Sequence, residues 1–398
     1  MISKRHTEIA RYFIRLGLTG FGGPLAIVAQ MERDLTSRGW ISKEKYAQAF
    51  AAIKTMPGPV AFQTAVFMGQ LRGGFFGAAI AGFMLNFPAA VLMVFLASSR
   101  STWNQWSWVQ SFNIGLQAAA LGLVAASVIP LARSARTETS RNPKAKQIAK
   151  VSFVLLGFAI TAARPSLEPL AILVCGGLAM LPSRRLLIGT TPLALSAGLI
   201  GLSSTEIASS LGWTCFKAGA MVFGSGLAIV PLLGSEFVDR LHWLTQAEFL
   251  EALMFGQVTP GPIVITATYI GYRVLGFSGA ALATVAVFSA PFFHMTTWFP
   301  RLWEKISTSR RWNDFSFGAI ACVVGSVMAS VVKLAEPVWL TALEIETIKP
   351  SPSLFRLMIW VVLPIASFML TWKRKTPAWL LIIAGGVLSF VFLKLVRA

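Results

Sequence analysis

The sequence predicts an all-α membrane protein built as two inverted repeats with broken helices, and two features of the chain carry this prediction. Long apolar stretches recur from end to end, and a Pro-Gly-Pro triplet interrupts them twice. The chain has 398 residues, of which 55% are hydrophobic and 13% charged, against roughly 25% charged residues in an average soluble domain. Apolar runs approaching 20 residues can cross a bilayer core of about 30 Å.

The apolar stretches form about 13 segments, which predicts a polytopic transmembrane protein in a lipid bilayer. The fifth and sixth are short for full spans and predict half-helices or a tight hairpin. In order, the expected segments are 11–31, 46–71, 75–97, 106–131, 148–163, 168–181, 186–202, 211–233, 248–272, 276–299, 313–333, 354–371 and 378–395.

The net charge of +19 comes from Lys and Arg in the short loops between these segments. The positive-inside rule explains such a distribution, so the charge predicts no nucleic-acid partner. With the most basic loop, 133–146, in the cytoplasm, the loops 182–185, 301–311 and 373–375 fall on the same side. The N-terminus is then cytoplasmic and the C-terminus periplasmic.

Two parts of the chain repeat one another. FGGPLAIV at 21–28 matches FGSGLAIV at 223–230 at six of eight positions, and Pro-Gly-Pro at 57–59 recurs at 260–262. Seven predicted segments separate the two copies, and this odd number places them in opposite orientations. Inverted repeats with broken helices are typical of secondary transporters.

The repeat divides the chain into three parts. We assign 1–147 to the first inverted repeat, 148–202 to linking transmembrane segments that include the inverting helix, and 203–398 to the second inverted repeat. Each Pro-Gly-Pro segment could cross the membrane or re-enter from one face, and we expect crossing because it keeps 182–185 and 301–311 on one side.

Each Pro-Gly-Pro should break its helix, because proline removes a backbone donor and glycine frees the backbone. The freed groups must face protein or a water-filled cavity. A helix that resumes at Val60 or Ile263 presents unpaired N–H groups and a positive dipole end, which favour an anion. A packing kink is the alternative for a single motif, whereas the paired set favours a site.

The breaks at FGGP and FGSG complete a set of four, which we expect to form one central anion site. Lys54 lies three residues before the first Pro-Gly-Pro, and nearby amides and hydroxyls could donate to an oxyanion. The candidate substrate-binding residues are Gly22, Gly23, Pro24, Lys54, Pro57, Gly58, Pro59, Gln63, Gly224, Ser225, Gly226, Gln257, Thr259, Pro260, Gly261, Pro262 and Thr266.

Three further residues are candidates for gating or for a charged role in transport. Arg15 and Lys217 each stand six residues before an FG motif, and snorkelling to the interface is the equally weighted alternative. His294 is a candidate for proton handling within a span, against a packed neutral histidine. The three cysteines have no metal or disulfide spacing, so we expect no metal, no cofactor and no catalytic residues.

Acidic residues are scarce, with 16 Asp and Glu in the whole chain. Glu248 and Glu251 at the start of the ninth segment are the main ones outside loops, and we interpret them as a solvated helix end. Because cation-coupled porters use carboxylates within the membrane, this scarcity favours an anionic substrate.

The motifs FGGP…PGP and FGSG…GQVTPGPIVITATYIGY resemble the chromate ion transporter family in its long, two-repeat form, from about Phe13 to the C-terminus. The resemblance implies a bacterial inner-membrane protein that exports chromate and confers chromate resistance, with sulfate as the natural analogue. In the first half, Lys54 stands where glutamine is usual, Val60 where asparagine is common and Ile27 where histidine is frequent. The matching residues are Phe21, Gly22, Gly23, Pro24, Glu32, Trp40, Pro57, Gly58, Pro59, Phe223, Gly224, Gly226, Trp243, Gln257, Thr259, Pro260, Gly261 and Pro262.

The sequence therefore predicts a secondary transporter that exports a tetrahedral oxyanion, chromate or sulfate, by alternating access. A porter of another inorganic or small organic anion is the nearest alternative. A membrane-embedded enzyme and a channel are weaker ones, since the sequence shows no histidine cluster, paired intramembrane carboxylates or repeated filter loop. The sequence leaves a homodimer open.

Overall fold

The computed structural model of the chain describes residues 4–135, 143–180, 204–224, 226–343, 361–374 and 376–397. Every element in these ranges is a helix, as predicted. Ser225, the loop 182–185 and the predicted segment 186–202 lie outside the described residues, as do parts of the loop 133–146 and of the segment 354–371.

The helices follow one another along the whole described chain. They are α1 Lys4–Thr19, α2 Pro24–Ser37, α3 Lys43–Ile53, α4 Val60–Ser98, α5 Arg100–Trp103, α6 Ser107–Ser134, α7 Pro143–Ala163, α8 Glu168–Ala179, α9 Ser204–Met221, α10 Ile229–Gly234, α11 Gln246–Val258, α12 Thr266–Thr296, α13 Phe299–Thr308, α14 Arg310–Leu343, α15 Leu363–Arg374 and α16 Ala378–Arg397. Short 3-10 turns cover Pro165–Leu167, Gly226–Ala228 and Ile263–Ile265, and Ser235–Arg240 is a π-helical segment.

Helix α4 is a hairpin rather than one long span. Its backbone leaves helical geometry at 73–74, which we term the first tip. A methyl group at Gly69 would overlap the carbonyl of Gly77, although a straight helix would separate these residues by about 12 Å along its axis. The arms 60–72 and 75–98, termed α4a and α4b, therefore fold back on one another.

Helix α12 repeats this geometry in the second half of the chain. It bends at 275–276, which we term the second tip, and Gly271 meets the backbone of Gly279 across the bend. Its arms are 263–274, termed α12a, and 277–296, termed α12b. The small residues let the paired backbones approach closely, as in other membrane helix pairs.

The two tips lie at opposite ends of α4b. Phe75 at the first tip packs 5.7 Å from Phe292, beyond the middle of α12b. At the other end, Arg100 lies 3.7 Å from Glu248, and Glu248 also pairs with Arg273 beside the second tip at 2.7 Å. The 24 residues of α4b extend about 36 Å, enough to cross the hydrocarbon core.

Helices α1 and α2 form a half-length hairpin at the first tip. His6 near the start of α1 lies 3.2 Å from the carbonyl of Gly73. Beyond the break at 20–23 the chain reverses, and Tyr12 on α1 donates to Asp34 on α2 at 3.3 Å. The chain therefore enters from the first tip, breaks, and returns to it.

Helices α3 and α4a form a second half-length hairpin from the same end. Trp40, just before α3, donates to Glu8 at 3.0 Å, and Arg72 at the end of α4a donates to the other oxygen of Glu8 at 3.0 Å. The guanidinium of Arg72 also lies 5.1 Å from the Trp40 ring. Both ends of the hairpin thus meet at the first tip, and Pro-Gly-Pro lies at its turn.

The second half builds the same pair of hairpins at the second tip. Lys217 on α9 pairs with Glu236 in the returning π-helical segment at 2.8 Å. Glu248 at the start of α11 pairs with Arg273 at the end of α12a. The chain therefore enters and returns twice before α12b leads away from the second tip.

The predicted segments 11–31, 46–71, 211–233 and 248–272 are wrong as single crossings, and so is the expectation that Pro-Gly-Pro segments span. Each is a pair of half-helices, because its proline and glycine break lets the chain reverse at mid-depth. An apolar pair of half-helices and a true span have the same composition and length, so hydropathy does not separate them.

The fifth and sixth predicted segments differ from each other. α7 has 21 residues, so it is long enough to cross, whereas α8 has 12 and corresponds to a half-helix. Both pack on α14, where Gly157 meets the backbone of Cys322 and Gly318 meets the backbone of Cys175.

The exposed surface of α4b is apolar, and α4a is buried. Phe76, Phe83 and Phe95 on α4b are 72%, 60% and 63% exposed, whereas every residue of 60–69 is buried. A row of exposed aromatic rings fits a lipid-facing surface, and the broken half-helices occupy the protein interior.

Candidate substrate site

The four breaks meet in two reciprocal pairs. The amide of Gly58 donates to the carbonyl of Val222 at 2.6 Å, and the amide of Gly261 donates to the carbonyl of Gly20 at 3.1 Å. Val222 and Gly20 each stand immediately before an FG motif, so each Pro-Gly-Pro bonds to the FG break of the other half. A reciprocal contact of this kind is the mark of an approximate two-fold relationship.

Both Pro-Gly-Pro glycines adopt backbone angles that side chains disfavour. Gly58 has φ 128° and Gly261 has φ 112°, which glycine alone adopts without strain. The surroundings differ, because a Cβ atom at Gly58 would lie 2.8 Å from the Cβ of Pro291, whereas at Gly261 it would lie 3.6 Å from the Cβ of Ala89.

The amides available to an anion are those that follow the triplets. Val60, Ala61 and Phe62 form the first turn of α4a, and within the described chain their N–H groups have no hydrogen-bond partner; the first bonded amide is that of Gln63, on the carbonyl of Pro59. Such a turn carries the positive end of the helix dipole.

Returning half-helices begin beside each of the four breaks. α2 starts at Pro24 with Gly23 as its N-cap, and α4a starts at Val60. In the second half the turns that begin at Gly226 and Ile263 contact each other, since a Cβ atom at Gly226 would lie 3.4 Å from the Ile263 Cβ. The positive ends of these elements are therefore gathered near the breaks.

The FG breaks differ in how they are enclosed. Gly22 and Gly23 have positive φ angles of 102° and 85°, and a Cβ atom at Gly23 would meet nothing within 4 Å. A Cβ atom at Gly224 would lie 2.8 Å from the Leu131 side chain, so that break packs closely against α6. Ser225 belongs to the undescribed residues.

Two glutamines flank the Pro-Gly-Pro breaks with different free atoms. Gln63 is fully buried, and its Nε2 donates to the carbonyl of Pro57 at 2.6 Å. Gln257 is 9% exposed, and its Nε2 has no partner among the residues that the structure describes. Because an oxyanion accepts hydrogen bonds, the free donor of Gln257 suits it better than Gln63 does.

The candidate threonines currently bond to their own helices. Thr259 donates to the carbonyl of Gly256 at 3.4 Å, and Thr266 donates to the carbonyl of Ile263 at 2.8 Å. Each hydroxyl would have to rotate to donate to a substrate.

Lys54 is the C-cap of α3 and is exposed just before the first Pro-Gly-Pro break. No ion pair joins it to any described residue. The adjacent Thr55 is held by α14, whose Trp312 Nε1 donates to the Thr55 hydroxyl at 2.9 Å and whose Ser316 donates to its carbonyl at 2.7 Å. The lysine therefore projects from a fixed stretch of backbone.

The three candidates for gating or a charged role lie in different surroundings in the structure. Arg15 is exposed on α1, and Lys217 is engaged by Glu236. His294 does reach the first Pro-Gly-Pro break. Its ring lies beside the carbonyl of Pro57 and 5.6 Å from the ring of Trp298.

The interpretation of Glu251 as part of a solvated helix end is wrong. Its side chain is 2% exposed and accepts from Arg100 at 2.8 Å. Asn113 donates to its other oxygen at 3.2 Å, and the hydroxyl of Tyr269 also donates to it. Sequence reasoning missed this cluster because its members come from two stretches, 100–113 and 251–269, that are far apart along the chain.

Glu248 fits the helix-end interpretation better. It forms a capping box with Thr245 at the start of α11, a common device for helix N-termini. It also pairs with Arg273 at 2.7 Å, so one carboxylate both caps α11 and ties it to α12a.

In the first repeat an aromatic cluster, near the first tip, takes the place of the Glu251 network near the second tip. The ring of Phe67 on α4a lies 5.0 Å from Phe299 and 6.0 Å from Trp303. Both partners belong to α13, which directly follows α12b. In the described parts of the chain no group of three or more His, Cys, Asp or Glu side chains is arranged to hold a metal ion.

Comparison with known proteins gives consistent results along the chain. The family described as "Chromate transporter" matches residues 7–181 and again 209–390. The probable chromate transport protein of Synechococcus elongatus is 29% identical over 397 residues, covering 97% of this chain and 95% of that protein.

Two further relatives are similar over most of their length. The chromate transport protein of Cupriavidus metallidurans is 32% identical over 339 residues, covering 83% of this chain and 82% of that protein. The chromate transport protein of Pseudomonas aeruginosa is 27% identical over 410 residues, covering 97% and 92%. No solved structure matches the chain. The chain belongs to the chromate transporter family.

Proposed function

We propose that the protein is a secondary transporter that exports chromate across the bacterial inner membrane and thereby confers chromate resistance. The observation that carries this proposal is the reciprocal pair of bonds from Gly58 to Val222 and from Gly261 to Gly20. These bonds gather four broken helices in the protein interior, and relatives that match 83–97% of the chain are named chromate transport protein or probable chromate transport protein.

The proposed site lies at the first turns of α4a and α12a. A tetrahedral dianion loses its water shell there, so several donors must replace it. The free amides of Val60 and Ala61, the Nε2 of Gln257 and the ammonium of Lys54 supply such donors from both halves. Sulfate has the same shape and charge, so it is the natural competitor at this site.

The contacts between the tips support an inverted arrangement of the two repeats. The tips lie at opposite ends of α4b, and the half-helices of each repeat start from its own tip. The two family matches begin 202 residues apart, the same offset as the FG motifs. A transporter with this symmetry can alternate by exchanging the conformations of its two halves.

Charge gives the proposed orientation. The basic N-terminal turn lies at the first tip, and α13 joins it there through Phe67 and Trp303. Lys146 at the start of α7 pairs with Asp314 near the start of α14 at 2.9 Å, which brings a third basic segment to this end. The positive-inside rule then makes the first tip cytoplasmic, with a cytoplasmic N-terminus and a periplasmic C-terminus.

The membrane potential alone can drive export of a dianion. At about 2.3 kcal/mol per charge per 100 mV, two charges gain roughly 4.6 kcal/mol. At about 1.4 kcal/mol per decade, this energy supports an outward gradient on the order of a thousandfold.

The test is chromate uptake by everted membrane vesicles, in which export appears as accumulation. We expect uptake above that of vesicles lacking the protein, an increase when an interior-positive potential is imposed, and inhibition by sulfate. Uptake of another anion that chromate fails to inhibit would assign a different substrate. No uptake of any oxyanion above the background of empty vesicles would contradict the proposal.

A further inference from the structure

Glu168 is a fully buried carboxylic acid that the proposed site does not use. It begins α8, is 0% exposed, and neither of its oxygens has a hydrogen-bond partner among the described residues. The hydroxyl of Ser326 on α14 lies beside it. An unpaired carboxylate is far more costly to bury in a membrane protein than the protonated acid is.

Arg164, four residues before Glu168, is exposed and does not hydrogen-bond to it, and the other acidic groups near α8 are paired. Glu236 accepts from Lys217 at 2.8 Å and from Arg240, and Asp239 pairs with Lys333 at 2.9 Å. The remaining titratable groups that face Glu168 are the buried thiols Cys322 on α14 and Cys175 on α8. No cation among the described residues therefore pairs with the Glu168 carboxyl group.

A cavity and two hydroxyl groups lie between the surface and Glu168. A cavity near the second tip is lined by Thr161, Ser330 and the exposed pair of Asp239 and Lys333. Thr161 donates to Ser326 at 2.9 Å, and Ser326 lies beside the carboxyl group. Hydroxyl groups can both donate and accept, so this arrangement suits proton transfer better than ion passage.

Helix α14 joins Glu168 to the proposed substrate site. Its Ser326 lies beside the carboxyl group of Glu168. Ten residues earlier on the same helix, Ser316 donates to the carbonyl of Thr55, next to the first Pro-Gly-Pro. Between these two serines Gly318 packs directly on the backbone of Cys175 in α8. A continuous series of packing contacts therefore links α8, through α14, to the first Pro-Gly-Pro.

We propose that Glu168 is a proton-binding site whose loading and release are coupled to oxyanion transport. The carboxylate takes one proton from the cavity side through Thr161 and Ser326, and it is the neutral acid in the conformation seen here. On the change of conformation the O–H bond breaks and the proton leaves to water on the opposite side, so proton entry accompanies oxyanion export. This inference rests on the proposed transport function.

The first experiment measures proton movement with chromate in reconstituted vesicles that contain a pH-sensitive dye, with the potential clamped. We expect the wild type to move about one proton per chromate through its single carboxyl group, and Glu168→Gln to move chromate with no accompanying proton. Glu304→Gln, an exposed glutamate on α13, is the matched control and should retain the proton signal. Chromate movement by the wild type with no proton signal would overturn this inference and leave the proposed function standing.

The second experiment does not depend on transport. Dicyclohexylcarbodiimide, a hydrophobic reagent for protonated carboxyl groups, is applied to the wild type in liposomes, and the labelled residue is identified by mass spectrometry. We expect Glu168 to be labelled, less so as pH rises, and more slowly in Thr161→Val. Absence of label on Glu168 across the pH range would refute the proton site even if a Glu168 variant fails to fold. If the wild type moves no oxyanion at all, the proposed function fails, and this labelling still decides whether Glu168 binds a proton.

Discussion

Phe67 and Tyr269 occupy equivalent positions in the two halves, each two residues before the glycine that closes its hairpin, yet their contacts differ in kind. Phe67 lies in an aromatic cluster with Phe299 and Trp303. Tyr269 instead donates to the buried carboxylate of Glu251. At this pair of equivalent positions the half-helix is thus held by aromatic contacts in the first repeat and by a charged hydrogen-bond network in the second.

The hydrogen-bond network around Glu251 predicts a large effect of Glu251→Gln. The change removes the carboxylate that pairs closely with Arg100, whose side chain is 21% exposed and keeps only the longer contact to Glu248 at 3.7 Å, and breaking a buried pair costs about 3 kcal/mol or more. We expect a clear fall in the unfolding temperature in detergent, together with reduced chromate uptake.

Glu8→Gln is the matched control for this change. Glu8 pairs with Arg72 at the first tip, but its side chain is 37% exposed, and exposed pairs contribute about 0–1 kcal/mol. Equal losses of stability in Glu251→Gln and Glu8→Gln would show that the buried network is no more important than a surface pair.

The Pro-Gly-Pro glycines predict an unequal pair of alanine variants. Both Gly58→Ala and Gly261→Ala force a positive φ angle on alanine, a strain on the order of 1–3 kcal/mol. Gly58→Ala also pushes a methyl group to 2.8 Å from Pro291, whereas Gly261→Ala has 3.6 Å of room. We expect both variants to insert in the membrane and lose stability and transport, with Gly58→Ala the more severe.

Gly177→Ala provides the control for these alanine variants. Gly177 lies in α8, and a Cβ atom there would meet nothing within 4 Å, so the change should leave uptake and unfolding temperature unaltered. If Gly58→Ala behaves like Gly177→Ala, the break does not need its observed geometry.

The repeat and its breaks could be predicted from the sequence, whereas the path of the chain through them could not. Proline and glycine at 57–59 and 260–262 predict a break because each disrupts a helix through its own backbone, whatever surrounds it. Whether the chain then continues or reverses depends on contacts such as Trp40 with Glu8 and Arg72, which are distant in sequence. Two of the predicted crossings between the copies are reversals, which lowers the number of crossings by two. An odd number stays odd, so the expected inversion does not depend on that error.

Buried polar groups show the same limit. Composition gives the number of acidic residues. It does not show that Glu251 accepts hydrogen bonds from Arg100 and Asn113, which lie in another part of the chain. Glu168 was missed because it follows a proline-rich turn and has the local sequence of an ordinary helix start. Its burial becomes visible only when α14 covers it.

Lys54→Gln tests the proposed substrate site. Removing the ammonium group takes away a charge-assisted hydrogen bond worth about 1.5–3 kcal/mol, so half-saturating chromate should rise by roughly ten- to a hundredfold. Lys45→Gln, on the exposed first turn of the same helix, removes an equal charge farther from the break. Unchanged uptake in Lys54→Gln, or an equal change in both variants, would remove Lys54 from the site.

Cysteine labelling tests the reversing path of the chain. The native thiols Cys175, Cys215 and Cys322 are buried and can be replaced by alanine, after which single cysteines are introduced at Ser37, at the end of α2, and at Ser278, beside the second tip. Because α1 and α2 form a hairpin from the first tip, we expect a membrane-impermeant maleimide to reach Ser37→Cys from the side of the N-terminus. It should reach Ser278→Cys from the opposite side. A continuous crossing at 11–31 would instead place Ser37 opposite the N-terminus, and labelling of both positions from one side would contradict the inverted arrangement of the two tips.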